Sequence, residues 1–404
     1  MKKLVFAFFS CLLVLAYAQD SRIAFVTPSG QLATVGADGS DLRILDEGEH
    51  RTQFPAWSPD GTKLAAITSN LEGGFIRVLE DRMSAQPNIV YRSSRMPPFY
   101  LYWSPDSTKL SLLANAPNGI ALHIASENEA SYMHSAAAPF YWQWSQDAQT
   151  LFVHTGSTGQ FAKLGFTNVA RDDLSINLAN PGLFQAPGIS ASGEYIAYAT
   201  TNQKIIIDLH PDTMTSDKRE VPYQGVAALS WNPGKELLAL MHPIANRPTY
   251  YGPIRLIDAE TGFLETITDT IAVAFFWSPR GRYLAYFTPT PDESFANNQP
   301  DDLRKVSDLT FLQTQSSRFL DLYIYDTETK TEELLASFVP SNQFIGQFLP
   351  FFDQYALSHA IWSPDESALV LPVVSEGKAM IATFNLDGSS KLLAEGDMPF
   401  WNRR

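Results

Sequence analysis

Along this chain, short apolar runs alternate with clusters of Gly, Pro, Asp and Ser, and within each run apolar and polar positions mostly alternate. Ile23-Ala24-Phe25-Val26, Gln31-Leu32-Ala33-Thr34-Val35 and Leu42-Arg43-Ile44-Leu45 are the first three such runs, with Ala37-Asp38-Gly39-Ser40 as a turn between the last two. A period of two bounded by turn residues predicts β-strands joined by tight turns.

The pattern repeats. Trp57-Ser58-Pro59-Asp60-Gly61-Thr62-Lys63-Leu64 returns as Trp103-Ser104-Pro105-Asp106-Ser107-Thr108-Lys109-Leu110 and as Trp362-Ser363-Pro364-Asp365-Glu366-Ser367-Ala368-Leu369. Looser copies begin at Trp144, Trp231 and Trp277, and a degenerate one runs from Ile189 to Ala197. Successive copies lie roughly 41 to 46 residues apart, with an interval nearly twice that before Trp362. In each copy an apolar run ends at the Trp, Pro presets φ for a turn, and an alternating strand such as Lys63-Leu64-Ala65-Ala66-Ile67 follows. Two further strands joined by a polar turn complete the unit, as at Leu256-Ile257-Asp258, Ala259-Glu260-Thr261-Gly262 and Leu264-Glu265-Thr266-Ile267. Four strands at this period predict a propeller blade. The motif tryptophans Trp57, Trp103, Trp231, Trp277 and Trp362 are expected between neighbouring blades.

The chain ends set the blade count. Three strands precede the first motif, and Met398-Pro399-Phe400-Trp401-Asn402 reads as the missing inner strand of that same blade. The prediction is an all-β, eight-bladed β-propeller of four-stranded antiparallel blades, closed by pairing of its N- and C-terminal strands, which removes exposed sheet edges.

These Trp-Ser-Pro-Asp motifs resemble the TolB-like β-propeller family, whose repeat is related in style to the WD40 repeat. The resemblance spans nearly all of the chain after its first residues and implies the fold. TolB itself carries a separate N-terminal α/β domain and fewer blades. Too few residues precede Trp57 for that domain, so TolB's role in an envelope complex is not carried over.

Composition narrows the picture further. Lys2 and Lys3, the apolar stretch from Leu4 to Leu15 and the small residues at Ala16-Tyr17-Ala18 predict a signal peptide over 1–18. The rest, 19–404, is expected as a single propeller domain, exported to the periplasm or secreted, with no membrane span after cleavage; a retained anchor is the alternative. The one cysteine, Cys11, falls in that segment, so a cleaved chain has no disulfide and no thiol nucleophile. The formal charge of −14 argues against nucleic acid and anionic lipid, which require a basic footprint.

Catalytic patterns are not evident. Gly188-Ile189-Ser190-Ala191-Ser192-Gly193 lacks the second glycine of a nucleophile elbow at the required place and sits on a blade hairpin. The seven histidines form no His-x-x-x-His pair, and Asp38-Gly39-Ser40-Asp41 and Asp301-Asp302 lack the spacing of a calcium loop. No catalytic residue, metal or cofactor is expected.

Irregular spacing nevertheless points to a face. An insertion at about 288–318, a long connector at about 338–357 and a lengthened loop at 241–252 all fall where the blades' second-to-third-strand loops and interblade connections emerge. Long connections on one face of a repeat array usually carry its binding surface. Tyr250, Tyr251, Asp353, Tyr355 and His359 lie there, aromatic anchors among polar groups, and are the candidate ligand- or partner-binding residues. The expected function is a monomeric, non-catalytic binding or assembly module of the cell envelope or extracellular space, docking a peptide, protein or other ligand. The alternative is a small-molecule hydrolase, lyase or sensor with its site at the central channel.

Overall fold

The three close copies of the motif close the same turn by the same hydrogen bonds. Ser58 Oγ accepts the Lys63 N–H at 3.0 Å and donates to Asp60 Oδ1 at 2.6 Å, while Asp60 accepts the Thr62 N–H. The set recurs at Ser104, Asp106 and Lys109 and at Ser363, Asp365 and Ala368. The motif therefore caps its own turn, which is why Ser and Asp recur at that spacing. Its fifth residue adopts positive φ, +67° at Gly61, and the copies that replace glycine keep it, +61° at Ser107 and +65° at Glu366.

The computed structural model describes residues 21–45, 48, 50–117, 119–156, 162–170, 174–209, 217–290 and 319–403. The predicted signal peptide and most of the predicted insertion lie outside them. Among the described residues seven sheets have four antiparallel strands and one has three, each built from neighbouring hairpins. A typical one runs Arg51–Trp57, Lys63–Asn70, Gly73–Glu80, Asn88–Ser93. The three-stranded sheet begins at Ala368–Ser375, and its inner strand is reduced to a single bridge, Trp362 opposite Leu369. These are the blades of an eight-bladed β-propeller.

The chain divides into two compact units of four blades each. The first, Met1–Ala136 with Ser358–Arg404, contains the expected closure. Strand Arg22–Val26 pairs antiparallel with Asp397–Trp401, placing Ile23 opposite Trp401 and Ala24 opposite Phe400. Asn402 clasps the joint, its N–H donating to Arg22 O and its Oδ1 accepting the Arg22 N–H. Ile23, Phe25, Val35, Val370, Ile381 and Trp401 form one apolar cluster around this blade. In the second unit, Ala137–Leu357, Phe152, Tyr198, Ile206, Trp231 and Leu240 belong to one core.

The motif tryptophans join blade to blade by a repeated bond. Trp103 Nε1–H donates to Ala56 O at 3.1 Å, Trp57 to Phe400 O at 3.3 Å and Trp277 to Ser230 O at 3.1 Å. In each case the acceptor is the residue just before the tryptophan of the adjoining blade's inner strand. At the degenerate copy the series breaks, Trp231 Nε1 being buried without a hydrogen-bond partner. Trp231 lies against Gly188, where a Cβ would come within 2.7 Å of the indole, so only glycine fits beneath the ring.

One element departs from the all-β expectation. The connector predicted at 338–357 is largely helical, a π-turn at Phe344–Phe348, a 3-10 turn at Leu349–Phe351 and an α-helix at Phe352–Ser358. Phe344, Ile345, Phe348, Leu349, Phe352 and Tyr355 recur at helical spacing and are buried, so burying them drives the segment into a helix.

Candidate functional site

The helical connector lies along the blades of the second unit, and four of the five predicted site residues meet around it. Phe352 packs edge-on against Phe275, and Phe348 stacks on Phe276. Tyr250 and Tyr251 come from the lengthened loop, touch each other at 4.9 Å, and Tyr250 reaches Phe352 at 5.7 Å. Tyr250 OH donates to Leu349 O at 3.0 Å. Tyr355 packs on Phe348 at 4.8 Å. His359 belongs to the first unit.

All five side chains are buried, from 1% exposed at Asp353 to 7% at Tyr250. Asp353 accepts the Ala186 N–H at 3.2 Å and the Gln354 N–H at 2.9 Å. Burial dominates these two bonds and pushes its carboxyl up to about 7. Burial likewise raises the Tyr250 phenol well above its ordinary value, with further contributions from Tyr251 and Asp353.

Two glutamines complete this arrangement, Gln354 beside Asp353 and Gln185 from a separate connection. Gln354 brackets Trp142, accepting its N–H at 3.0 Å and donating to its O at 2.9 Å, as a neighbouring strand would. Gln185 Nε2 donates to Pro350 O at 3.0 Å. Both glutamines sit outside any repeat, in connections where the sequence offers no register. On the connector Phe351 is 41% exposed, and Leu183, two residues before Gln185, is 47% exposed.

In the first unit, His359 lies in an aromatic box with Phe400 at 4.6 Å, Phe54 and Tyr100. Ser358 Oγ is 2.6 Å from His359 Nδ1 and receives a hydrogen bond from Tyr100 OH. Burial pushes the imidazole down to about 3, with Arg403 repulsion adding to it, so the ring is neutral at physiological pH.

Among the described residues no group of three or more His, Cys, Asp or Glu is arranged to hold a metal ion, and no helix is long and apolar enough to cross a membrane.

No protein-family model and no curated protein matches the chain. Solved structures do. A eukaryotic initiation factor is similar over 96% of this chain and 99% of its own, with a TM-score of 0.55 at 12% identity. Dihydro-heme d1 dehydrogenase NirN is similar over 96% of this chain and 75% of its own, again at 0.55 and 12%. TolB from Acinetobacter baumannii is similar at 0.43 and 12% identity, over 95% of this chain and 66% of its own. The structural neighbours thus include TolB-like propellers, and the two likenesses at 0.55 establish the fold alone. The chain spans about 66% of that TolB's length.

Proposed function

We propose that this chain is an exported, non-catalytic binding or assembly module of the TolB-like type, docking a protein or peptide on its loop face. The observation that supports this reading is how the candidate residues spend their polar atoms. Tyr250, Asp353 and Gln354 all bond to backbone and hold the helical connector in place. They support the connector, on which Phe351 is exposed, from beneath, rather than converging as reactive groups in a pocket. In this reading Tyr250, Tyr251, Asp353 and Tyr355 shape the docking surface from beneath, and His359 does the same for its own unit.

A second reading, a hydrolase, lyase or sensor, has in its favour a carboxyl with a pKa near neutrality. Its 1% exposure and two backbone donors weigh against contact with a substrate.

The test is site-specific photocrosslinking from position 351 in envelope extract, followed by capture of the crosslinked partner with Phe351→Ser and Leu183→Ser variants. Loss of capture with unchanged circular dichroism is the expected result. Capture that survives both substitutions but fails in Asp38→Ala or Asp387→Ala, in hairpins of the first unit, would refute the assignment.

A further inference from the structure

The lengthened loop at 241–252 is tied to its blade near its start. Arg255, on strand Ile254–Asp258, brings Nη1 to 2.7 Å from His242 Nε2. A guanidinium only donates, so Nε2 is the acceptor and carries a lone pair. The proton of the neutral ring is then on Nδ1, which lies 2.9 Å from the carbonyl oxygen of Pro243. Both ring nitrogens are committed to one neutral tautomer, in a side chain that is 7% exposed.

The surroundings oppose a second proton. Arg255 faces the ring from the sheet, the Gln224 N–H is directed at Nδ1 from 3.4 Å, and the Tyr223 ring stands at 6.4 Å. Arg247 is the one further charge within the loop itself. Among the described residues no carboxylate pairs with His242 or Arg255. Burial holds the imidazole below its ordinary 6.5, the Pro243 bond opposing this and the Arg255 charge adding to it.

We infer that His242 and Arg255 form an acid-sensitive latch: a proton on Nε2 turns the acceptor into a donor facing a cation, breaks the bond and frees loop 241–252. What the loop holds is the helical connector. Tyr250 OH donates to Leu349 O, and the Tyr250 ring packs on Phe352. Before those tyrosines the loop already stands in solvent, with Ile244 71% exposed. Opening therefore withdraws the connector's support from one side. That this also releases a partner bound through Phe351 rests on the reading above, whereas the latch does not. The bond contributes fully above pH 6.5 and is lost as pH falls through the lower value of the folded state. Between those two values the opening equilibrium rises by up to about tenfold per pH unit.

The experiment is hydrogen–deuterium exchange of the full chain, read by mass spectrometry from pH 7 to pH 4 with intrinsic rates corrected for pH. Strand Tyr283–Pro289 of the same unit is the internal reference. His242→Gln leaves an acceptor for Arg255 and cannot titrate; Arg255→Met removes the cation and keeps the apolar stem. In wild type, protection over 241–252 should fall by about tenfold or more across the acid range relative to the reference. It should stay level in His242→Gln, and in Arg255→Met it should be low already at pH 7, with a smaller acid step. Wild-type protection independent of pH would overturn the latch, as would an undiminished step in either variant. Should His242→Gln fail to fold, wild type and Arg255→Met decide. Partner capture through Phe351 is read at pH 7, so the latch and the docking surface can each fail without the other.

Discussion

Tyr100 and Ser358 lie 258 residues apart in the chain, and the tyrosine hydroxyl donates to the serine at 2.8 Å. The bond ties the inner strand Pro98–Trp103 to the point where the chain leaves the helical connector and begins the last blade. Ser358 passes the contact on to His359 Nδ1, so three side chains form one directed line of donors. Tyr100→Phe should cost about 1 kcal/mol, the usual net worth of such a bond. Ser358→Ala should cost a similar amount, and the double variant less than the sum of the two. Urea unfolding of the four proteins checks this; strict additivity would mean the bond carries no energy.

The buried titratable groups give stability an opposed pH dependence. The His359 pKa falls from its ordinary 6.5 to about 3 in the folded chain, so its contribution is complete above pH 6.5 and is lost as pH drops toward 3. Asp353 rises from 3.8 to about 7, so its contribution is complete below pH 3.8 and is lost as pH climbs through 7. Each slope is at most about 1.4 kcal/mol per pH unit. Relative to wild type, His359→Phe should flatten the acid limb and Asp353→Asn the neutral limb. Melting temperatures measured from pH 3 to 8 decide it, and parallel curves for all three proteins would contradict it.

The tryptophan series predicts graded losses. Trp103→Ala should cost roughly 3 to 5 kcal/mol through the cavity it leaves, whereas Trp103→Phe should lose mainly the bond to Ala56 O and some packing. Trp231→Phe should be milder than Trp103→Phe, because its Nε1 has no hydrogen-bond partner to lose. Equal losses for the two phenylalanine variants would show that the interblade bond is immaterial.

The turns offer a stabilising change. Ser107 and Glu366 hold positive φ where other copies of the motif have glycine, so Glu366→Gly should stabilise by up to about 1 kcal/mol, and Ser107→Gly by less, since its hydroxyl accepts the Asp60 N–H. Gly281→Ala should destabilise, since a Cβ there would stand 1.9 Å from Asn232 Oδ1 in addition to the strain of its φ of +77°. Thermal unfolding of the three variants tests the sign of each.

The blades were legible in the sequence because Trp, Ser, Pro and Asp each have a local task, and local tasks leave a periodic trace. Closure by Phe400 and Trp401 could be read for the same reason, as a motif fragment without its remainder. The helix at Phe352–Ser358 was obscured because its apolar residues were read as a loop's aromatics rather than as one face of a turn of helix. Tyr250, Tyr251, Asp353 and Tyr355 meet around the connector, but their burial depends on which backbone atoms they meet and could not be read from the sequence. Gln185 left no trace, because a side chain that bonds to a distant carbonyl needs no particular neighbour in sequence.

Ile23 pairs with Val35 on one side and with Trp401 on the other, so the sheet around strand Arg22–Val26 has its second edge covered only by a segment far away along the chain. Without Asp397–Trp401, strand Arg22–Val26 would offer a bare row of amide and carbonyl groups to any passing chain. Damage to that distant strand is therefore felt as an open edge on Arg22–Val26, a target for a protease or for aggregation.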